Sequence, residues 1–142
     1  MANIEHMHVI KAPVADVYEA LTTGEGLAAV WTKELTVSQV IGDTLTFQFG
    51  PDDLTKMRLA ELVPNERIVW ECTDSDPEWV GTTIVFELEE KKPETWVTLR
   101  QLNWREVTPF YRLCNYNWGI FLHSLQLYVE ENGGMNYQSR YA

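Results

Sequence analysis

The chain has 142 residues, of which 45% are hydrophobic and 23% are charged, and its formal net charge is −10. This length fits one domain, and the composition is ordinary for a globular protein in water. A negative field of this strength repels phosphate groups, so nucleic acids and anionic membranes are disfavoured as partners. We therefore predict a single domain over residues 1–142, ending in a tail of residues 135–142 that can be ordered or frayed.

The first residues and the cysteines both indicate the cytoplasm. The N-terminal segment lacks the basic and apolar stretches of a secretion signal, and no apolar run is long enough to span a membrane. Cys72 and Cys114 lie in apolar patterns outside any Cys-x-x-Cys motif or Cys/His cluster. This placement favours two buried thiols in a reducing compartment over a zinc site. We predict a cytoplasmic protein without membrane insertion, metal or other cofactor.

The first third of the chain predicts one strand and two short helices. Residues 3–10 indicate a strand, although their alternation is too poor to assign its faces. Pro13 suits the first position of a helix, in which Val17 and Leu21 belong to the apolar stripe. Thr22 and the acidic residue three positions later form a capping-box pattern, which predicts a second short helix ending near residue 31.

A period of two begins near residue 33 and predicts about six antiparallel strands. The predicted strands cover residues 35–37, 45–49, 56–63, 68–73, 84–89 and 95–104. The segments between them are rich in glycine, proline and acidic residues, and those residues favour turns and loops. The chain therefore alternates between half-buried strands and short polar connections.

The last predicted element is a long amphipathic helix. Thr108 and Pro109 supply an N-cap and a first helical residue, and the pattern continues to about Asn132, where Gly133 and Gly134 supply a stop. At about 100° per residue, one helix face is mostly bulky and apolar. That face carries Phe110, Cys114, Asn117, Trp118, Phe121, Leu125 and Tyr128, and the opposite face carries Arg112, Asn115, His123, Gln126 and Glu130.

Three stretches of the sequence resemble one known family. Residues 10–22 (IKAPVADVYEALT) are similar to its opening strand-to-helix segment, residues 61–70 (ELVPNERIVW) to its central hairpin, and residues 117–125 (NWGIFLHSL) to its terminal helix. The family includes the activator of Hsp90 ATPase homologue 1-like proteins and lies within the START/Bet v 1-like superfamily. Its members often have two adjacent tryptophans where this chain has Val30-Trp31.

The resemblance implies an α+β helix-grip fold. In that fold, a curved antiparallel sheet of about six to seven strands surrounds a long C-terminal helix, and two short helices follow the first strand. Such a sheet does not close fully around a single helix, so we predict a mostly apolar cavity between the two. The residues expected to line it are Trp31, Leu45, Phe47, Phe49, Trp70, Phe86, Val97, Leu99, Gln101, Asn117, Trp118, Phe121 and Leu125.

Each predicted lining residue has an alternative role. An inward aromatic side chain is more often core packing than ligand lining, because protein interiors are close-packed by default. Gln101 and Asn117 are the polar members of the set, and each can orient a ligand or bond to the protein itself. His6 and His8 share a strand face at a spacing that can bind a metal, but no third ligand accompanies them, so surface roles are favoured.

Three functions stay open on the sequence alone. The first is binding of a small hydrophobic or amphipathic molecule, such as a lipid or aromatic metabolite, which the aromatic lining and the resemblance favour. The second is a cyclase-, aromatase- or hydrolase-like enzyme, for which Glu61 is the best general base if it faces inward. The third is a protein-interaction module, including one linked to Hsp90, which needs an exposed apolar patch.

Overall fold

A seven-stranded antiparallel sheet curves around one long helix in the computed structural model, which describes residues 1–141. The strands are β1 (Ala2–Ile10), β2 (Leu35–Thr36), β3 (Thr44–Gln48), β4 (Leu54–Val63), β5 (Arg67–Asp74), β6 (Thr83–Lys91) and β7 (Glu94–Trp104). The helices are α1 (Val14–Thr22), α2 (Gly24–Val30), α3 (Pro109–Glu131) and α4 (Tyr137–Arg140). Ala142, the end of the predicted tail, lies outside the described residues.

The strand order β1-β7-β6-β5-β4-β3-β2 explains the position of the two short helices. Strands β2 to β7 are sequential neighbours, whereas β1 pairs with β7 at the opposite edge of the sheet from β2. The chain must therefore cross from one edge to the other after β1, and α1 and α2 make that crossing. The predicted helix-grip fold is confirmed, with seven strands in the sheet.

Local capping signals set the ends of α2 and α3. The Thr108 hydroxyl accepts a hydrogen bond from the Tyr111 amide at 3.0 Å, and α3 begins there as predicted. Thr23, one residue after the predicted cap, accepts from the Gly26 amide at 3.1 Å and starts α2. Thr22 does not cap α2, because its hydroxyl donates to the Tyr18 carbonyl within α1 at 2.8 Å.

The core lies between the concave face of the sheet and α3. From α3 the buried side chains are Cys114, Trp118, Phe121, Leu122, Ser124 and Leu125. Alternate residues of the sheet meet them, and the aromatic rings pack closely. The ring centroids of Trp70 and Phe86 are 5.1 Å apart, and those of Phe86 and Phe121 are 5.8 Å apart. The centre of the grip is therefore filled by side chains.

The convex face of the sheet carries a network of ion pairs. Arg67 contacts Glu61 at 3.3 Å and Glu87 at 3.1 Å, while Arg100 pairs with Glu87 and with Glu5. The pairing of β4 with β5 shifts register between Leu59 and Glu61, and the Glu61 side chain is 46% exposed. The facing of Glu61, which the sequence left open, is outward, with its carboxylate on the Arg67 side.

The packing of α2 on α1 predicts an unusual response to a glycine substitution. A Cβ at Gly26 would lie 2.3 Å from the Ala20 carbonyl oxygen. Within a helix, Gly→Ala normally stabilises a protein by about 1 kcal/mol. Here we expect Gly26→Ala to lower the free energy of unfolding by about 1–3 kcal/mol, because the two helices must move apart.

Denaturant unfolding measures this change, and Gly24→Ala is the matched control. A Cβ at Gly24 would lie 3.5 Å from the Val37 side chain, an ordinary contact, so that variant should be neutral or slightly stabilised. Equal stability of the Gly26→Ala variant and the parent protein would contradict the close approach of α1 and α2.

Candidate ligand-binding cavity

A cavity of about 490 Å³ lies at one end of the grip, beside the N-terminal half of α3, and opens to solvent. Its walls come from the end of α2, the β3–β4 loop, the β5–β6 loop, α3 and the C-terminal tail. The lining residues are Trp31, Phe49, Asp52, Asp53, Leu54, Thr55, Ser75, Asp76, Trp79, Phe110, Cys114, Asn117, Trp118, Tyr137, Arg140 and Tyr141. This volume falls within the range of about 300–1,000 Å³ typical of small-molecule sites.

Three tryptophans form the aromatic floor of the cavity. Trp118 lies between the other two, with its ring centroid 5.5 Å from Trp31 and 5.7 Å from Trp79. The Trp118 and Trp79 rings are stacked, with an interplanar angle of 17°. Trp118 is only 2% exposed, so it also separates the cavity from the packed centre of the grip.

A chain of hydrogen bonds fixes Trp118 and the β5–β6 loop relative to each other. The Trp118 indole N–H donates to Gln101 Oε1 at 2.8 Å, and Gln101 Nε2 donates to the Thr82 hydroxyl at 2.9 Å. That hydroxyl donates in turn to the Trp79 carbonyl at 2.7 Å. Gln101 and Thr82 are buried, so each bond replaces one that water would otherwise supply.

Further contacts hold the β5–β6 loop against α3. Glu78 Oε1 accepts from the Thr108 hydroxyl at 2.5 Å and from the Trp104 indole N–H at 3.2 Å. The Trp79 indole N–H donates to Cys114 Sγ at 3.3 Å. This wall of the cavity is therefore anchored by side chains rather than left as a free loop.

The C-terminal tail is docked onto α2 and forms the outer wall. The Tyr137 amide donates to the Trp31 carbonyl at 2.6 Å, and Asn136 Nδ2 donates to the Ala28 carbonyl at 2.9 Å. Ser124 of α3 joins the two segments, because its hydroxyl donates to the Val30 carbonyl and accepts from the Met135 amide. These bonds place the Tyr137 ring against Phe49 at the cavity wall.

Charged groups of both signs surround the cavity. Burial raises the pKa of Asp53, and the negative charge of Asp76 raises it further. Burial lowers the pKa of Arg140, whose Nε donates to the Met135 carbonyl at 2.6 Å. Within residues 1–141, the Arg140 Nη2 atom is buried without a hydrogen-bond partner, and no ion pair joins Arg140 to an aspartate.

The two thiols are buried and not joined in a disulfide. Burial is the main reason that the pKa of Cys114 rises to about 11; the Trp79 hydrogen bond opposes it, and Asp76, Glu78 and Asp53 add to it. Burial also raises the pKa of Cys72 to about 11. Both thiols are therefore protonated near neutral pH and are poor nucleophiles.

The structure divides the predicted lining residues into two groups. Trp31, Phe49, Asn117 and Trp118 line the cavity. Leu45 and Trp70 border a gap of only about 10 Å³, and the remaining apolar members lie in the packed core. Those core members are Phe47, Phe86, Val97, Leu99, Phe121 and Leu125. Large aromatic side chains fill the centre of the grip, so the open space lies at its end.

The two polar members of the predicted set differ from each other. Gln101 is buried but does not reach the cavity; its amide positions Trp118. Asn117 lines the cavity mouth but is exposed, so its placement on the buried face of the helix is wrong. The buried stripe of α3 passes through Cys114, Trp118 and Phe121, and Asn117 lies at its border.

Several lining residues were not predicted from the sequence. Asp52, Asp53, Asp76 and Trp79 lie in loops, and Tyr137 and Arg140 lie in the tail. Such segments have no periodicity from which a facing direction could be inferred. One signal was available: Trp79 is a large aromatic residue beside an otherwise acidic stretch, where an aromatic side chain has few reasons to be solvated.

The comparisons with known proteins agree on the family and fold. The family model described as Activator of Hsp90 ATPase homolog 1-like protein matches residues 11–130. The solution structure of the Aha1 dimer from Colwellia psychrerythraea is similar, with 36% identity and a TM-score of 0.88 over 94% of this chain and 100% of that chain. A comparison with curated proteins gave no match.

Two more distant solved structures share the fold alone. DynU16, from the dynemicin biosynthetic locus, is 21% identical with a TM-score of 0.78, over 93% of this chain and 48% of that chain. CalU16 from Micromonospora echinospora is 16% identical with a TM-score of 0.75, over 92% of this chain and 77% of that chain.

Among the described residues, no helix combines the length and apolar character needed to cross a bilayer.

The buried Gln101–Trp118 pair predicts a coupled loss of stability. We expect Gln101→Leu to lower the free energy of unfolding by about 1–3 kcal/mol, because the Trp118 N–H and the Thr82 hydroxyl lose their partner. Denaturant unfolding of both single variants and the double variant with Trp118→Phe measures the coupling. Strictly additive losses would show that this hydrogen bond contributes nothing.

The two thiols predict a decline in stability at alkaline pH. The folded state holds both pKa values near 11, above the ordinary 9.0, so it favours the protonated form. The stability that the two protonated thiols contribute to the folded state is fully present below about pH 9 and is lost as the pH rises to about 11. We therefore expect a Cys72→Ala/Cys114→Ala variant, whatever its stability at pH 7, to lose less stability over this window. Parallel curves for variant and parent would contradict the prediction.

Proposed function

Because the chain belongs to the Activator of Hsp90 ATPase homolog 1-like family, we propose that it binds a small hydrophobic or amphipathic molecule in the cavity beside α3. The observation that carries this proposal is the cavity itself, which has a volume of about 490 Å³ and a floor of three tryptophans. A ligand there would cover the part of the Trp79 ring that the protein's own side chains leave open, because Trp31 and Trp118 are only 7% and 2% exposed.

The rigidity of the walls supports the proposal. Buried hydrogen bonds hold Trp118 through Gln101, and the docked tail holds Tyr137 through the Trp31 carbonyl. Walls that are already fixed lose little conformational entropy when a ligand enters, and this favours affinity. A lipid or an aromatic metabolite fits the mixed lining, because apolar rings form the floor and polar side chains surround the mouth.

The enzyme alternative has less support. Glu61, its candidate general base, pairs with Arg67 on the outside of the sheet and does not line the cavity. The Cys114 thiol does line the cavity, but its pKa of about 11 leaves little thiolate for nucleophilic attack.

A protein-interaction role is a second candidate, on one specific observation. Leu113 and Tyr116 are 62% and 70% exposed on α3, three residues apart and hence on the same side of the helix. If they contact Hsp90, sedimentation of the purified proteins will show a complex that Leu113→Ser/Tyr116→Ser abolishes. Unchanged sedimentation of the mixture would remove this candidate.

The cavity proposal predicts saturable binding of a neutral hydrophobic dye. We expect Nile red to bind at one site per chain, with increased dye fluorescence. Asn117→Trp should weaken binding by about tenfold or more, because the indole would enter the mouth of the cavity. Asn117 is exposed on α3, so this substitution should leave the fold intact.

His123→Trp is the matched control for that titration. His123 is also exposed on α3 but does not line the cavity, so the dye affinity of this variant should equal that of the parent. Equal weakening by both variants, or no saturable binding to the parent protein, would overturn the proposed site.

A further inference from the structure

We propose that the preferred ligand of this cavity carries a positive charge, as an amine or quaternary ammonium attached to an aromatic or aliphatic body. This inference rests on the proposed function and assigns the class of ligand. Two features of the cavity wall lead to it independently, namely uncompensated carboxylates at the rim and tryptophan rings on the floor.

The rim has an excess of negative charge. Asp52, Asp53 and Asp76 line the cavity, whereas Arg140 is the one lysine or arginine among its lining residues. In the described part of the chain, none of the three aspartates lies within 4.0 Å of a lysine or arginine nitrogen. Asp76 is close enough to Asp53 to disfavour the ionised form of the Asp53 carboxyl. A cationic ligand would relieve that repulsion, and an anionic ligand would increase it.

Negative charges lie near the Cys114 thiol, which lines the cavity. The carboxylates of Asp76, Glu78 and Asp53 all oppose its ionisation, and no cationic side chain contributes in the opposite direction. At longer range, the net charge of −10 attracts cations toward the protein.

The tryptophan floor favours the same class of ligand. The faces of aromatic rings carry partial negative charge, so they attract ammonium groups held within about 6 Å. Trp79 is the partly exposed member of this group, and it packs with the buried Trp118 and Trp31, with neighbouring centroids no more than 5.7 Å apart. Carboxylates near such a group of rings would supply the compensating charge, and the rings would cover the apolar part of the ligand.

A matched series of three ligands tests the charge preference. The probes are 2-(1-naphthyl)ethylamine, 2-(1-naphthyl)ethanol and 1-naphthylacetate, which share one ring system and differ in charge. Titration calorimetry at low ionic strength gives each dissociation constant. We expect the amine to bind about tenfold more tightly than the alcohol, and the carboxylate to bind most weakly.

Charge-neutral variants locate the preference within the protein. Asp53→Asn and Asp76→Asn should each reduce amine affinity several-fold and leave alcohol affinity unchanged. Glu131→Gln is the control, because Glu131 is exposed at the far end of α3, about 25 Å along the helix from Cys114. This control should leave all three affinities unchanged.

The possible outcomes separate this inference from the proposed function. Equal affinity for amine and alcohol, or tighter binding of the carboxylate, would overturn the charge preference and leave the cavity as a binding site. An amine preference that persists in both aspartate variants would overturn the assigned source of charge. If the naphthyl probes and Nile red all fail to bind, the inference and the proposed function both fail.

Discussion

The position of Trp118 is the constraint on which the interior depends. Its indole N–H is held by Gln101 on β7, and its ring packs against Trp31, Trp79 and Phe121. The residue therefore lies at the boundary between the filled core and the cavity. A buried indole needs a hydrogen-bond acceptor, and a β7 glutamine supplies one only if α3 keeps its rotation and depth over the sheet.

The same constraint explains why the cavity lies at the end of the grip. Below Trp118, the rings of Trp70, Phe86 and Phe121 occupy the space between sheet and helix. Above it, α3 approaches the β3–β4 and β5–β6 loops instead of strands, and the cavity lies between them. The tail closes this end without filling it, because hydrogen bonds from Asn136 and Tyr137 hold it along α2.

The periodic elements could be predicted from the sequence, and the site could be predicted only in part. Alternation identifies Trp70 and Phe86 as inward residues, but alternation alone does not show whether inward side chains meet or leave a gap. The irregular register of β4 and β5 next to Glu61 has no clear sequence signal. Asp53, Asp76 and Arg140 come together through loop and tail geometry, which depends on long-range contacts that one sequence does not show.

The core is built from periodic elements, whereas one end of the grip is built from loops and the C-terminal tail. Val30 and Trp31 occupy the corner where the sequence resemblance implies a pair of tryptophans in the family. Here Val30 is fully buried, while Trp31 faces the cavity and joins Trp118. Trp31 at the second position preserves the tryptophan floor of the cavity, and Val30 at the first position affects only the core behind that floor. Charges on the loops can therefore change without disturbing the sheet.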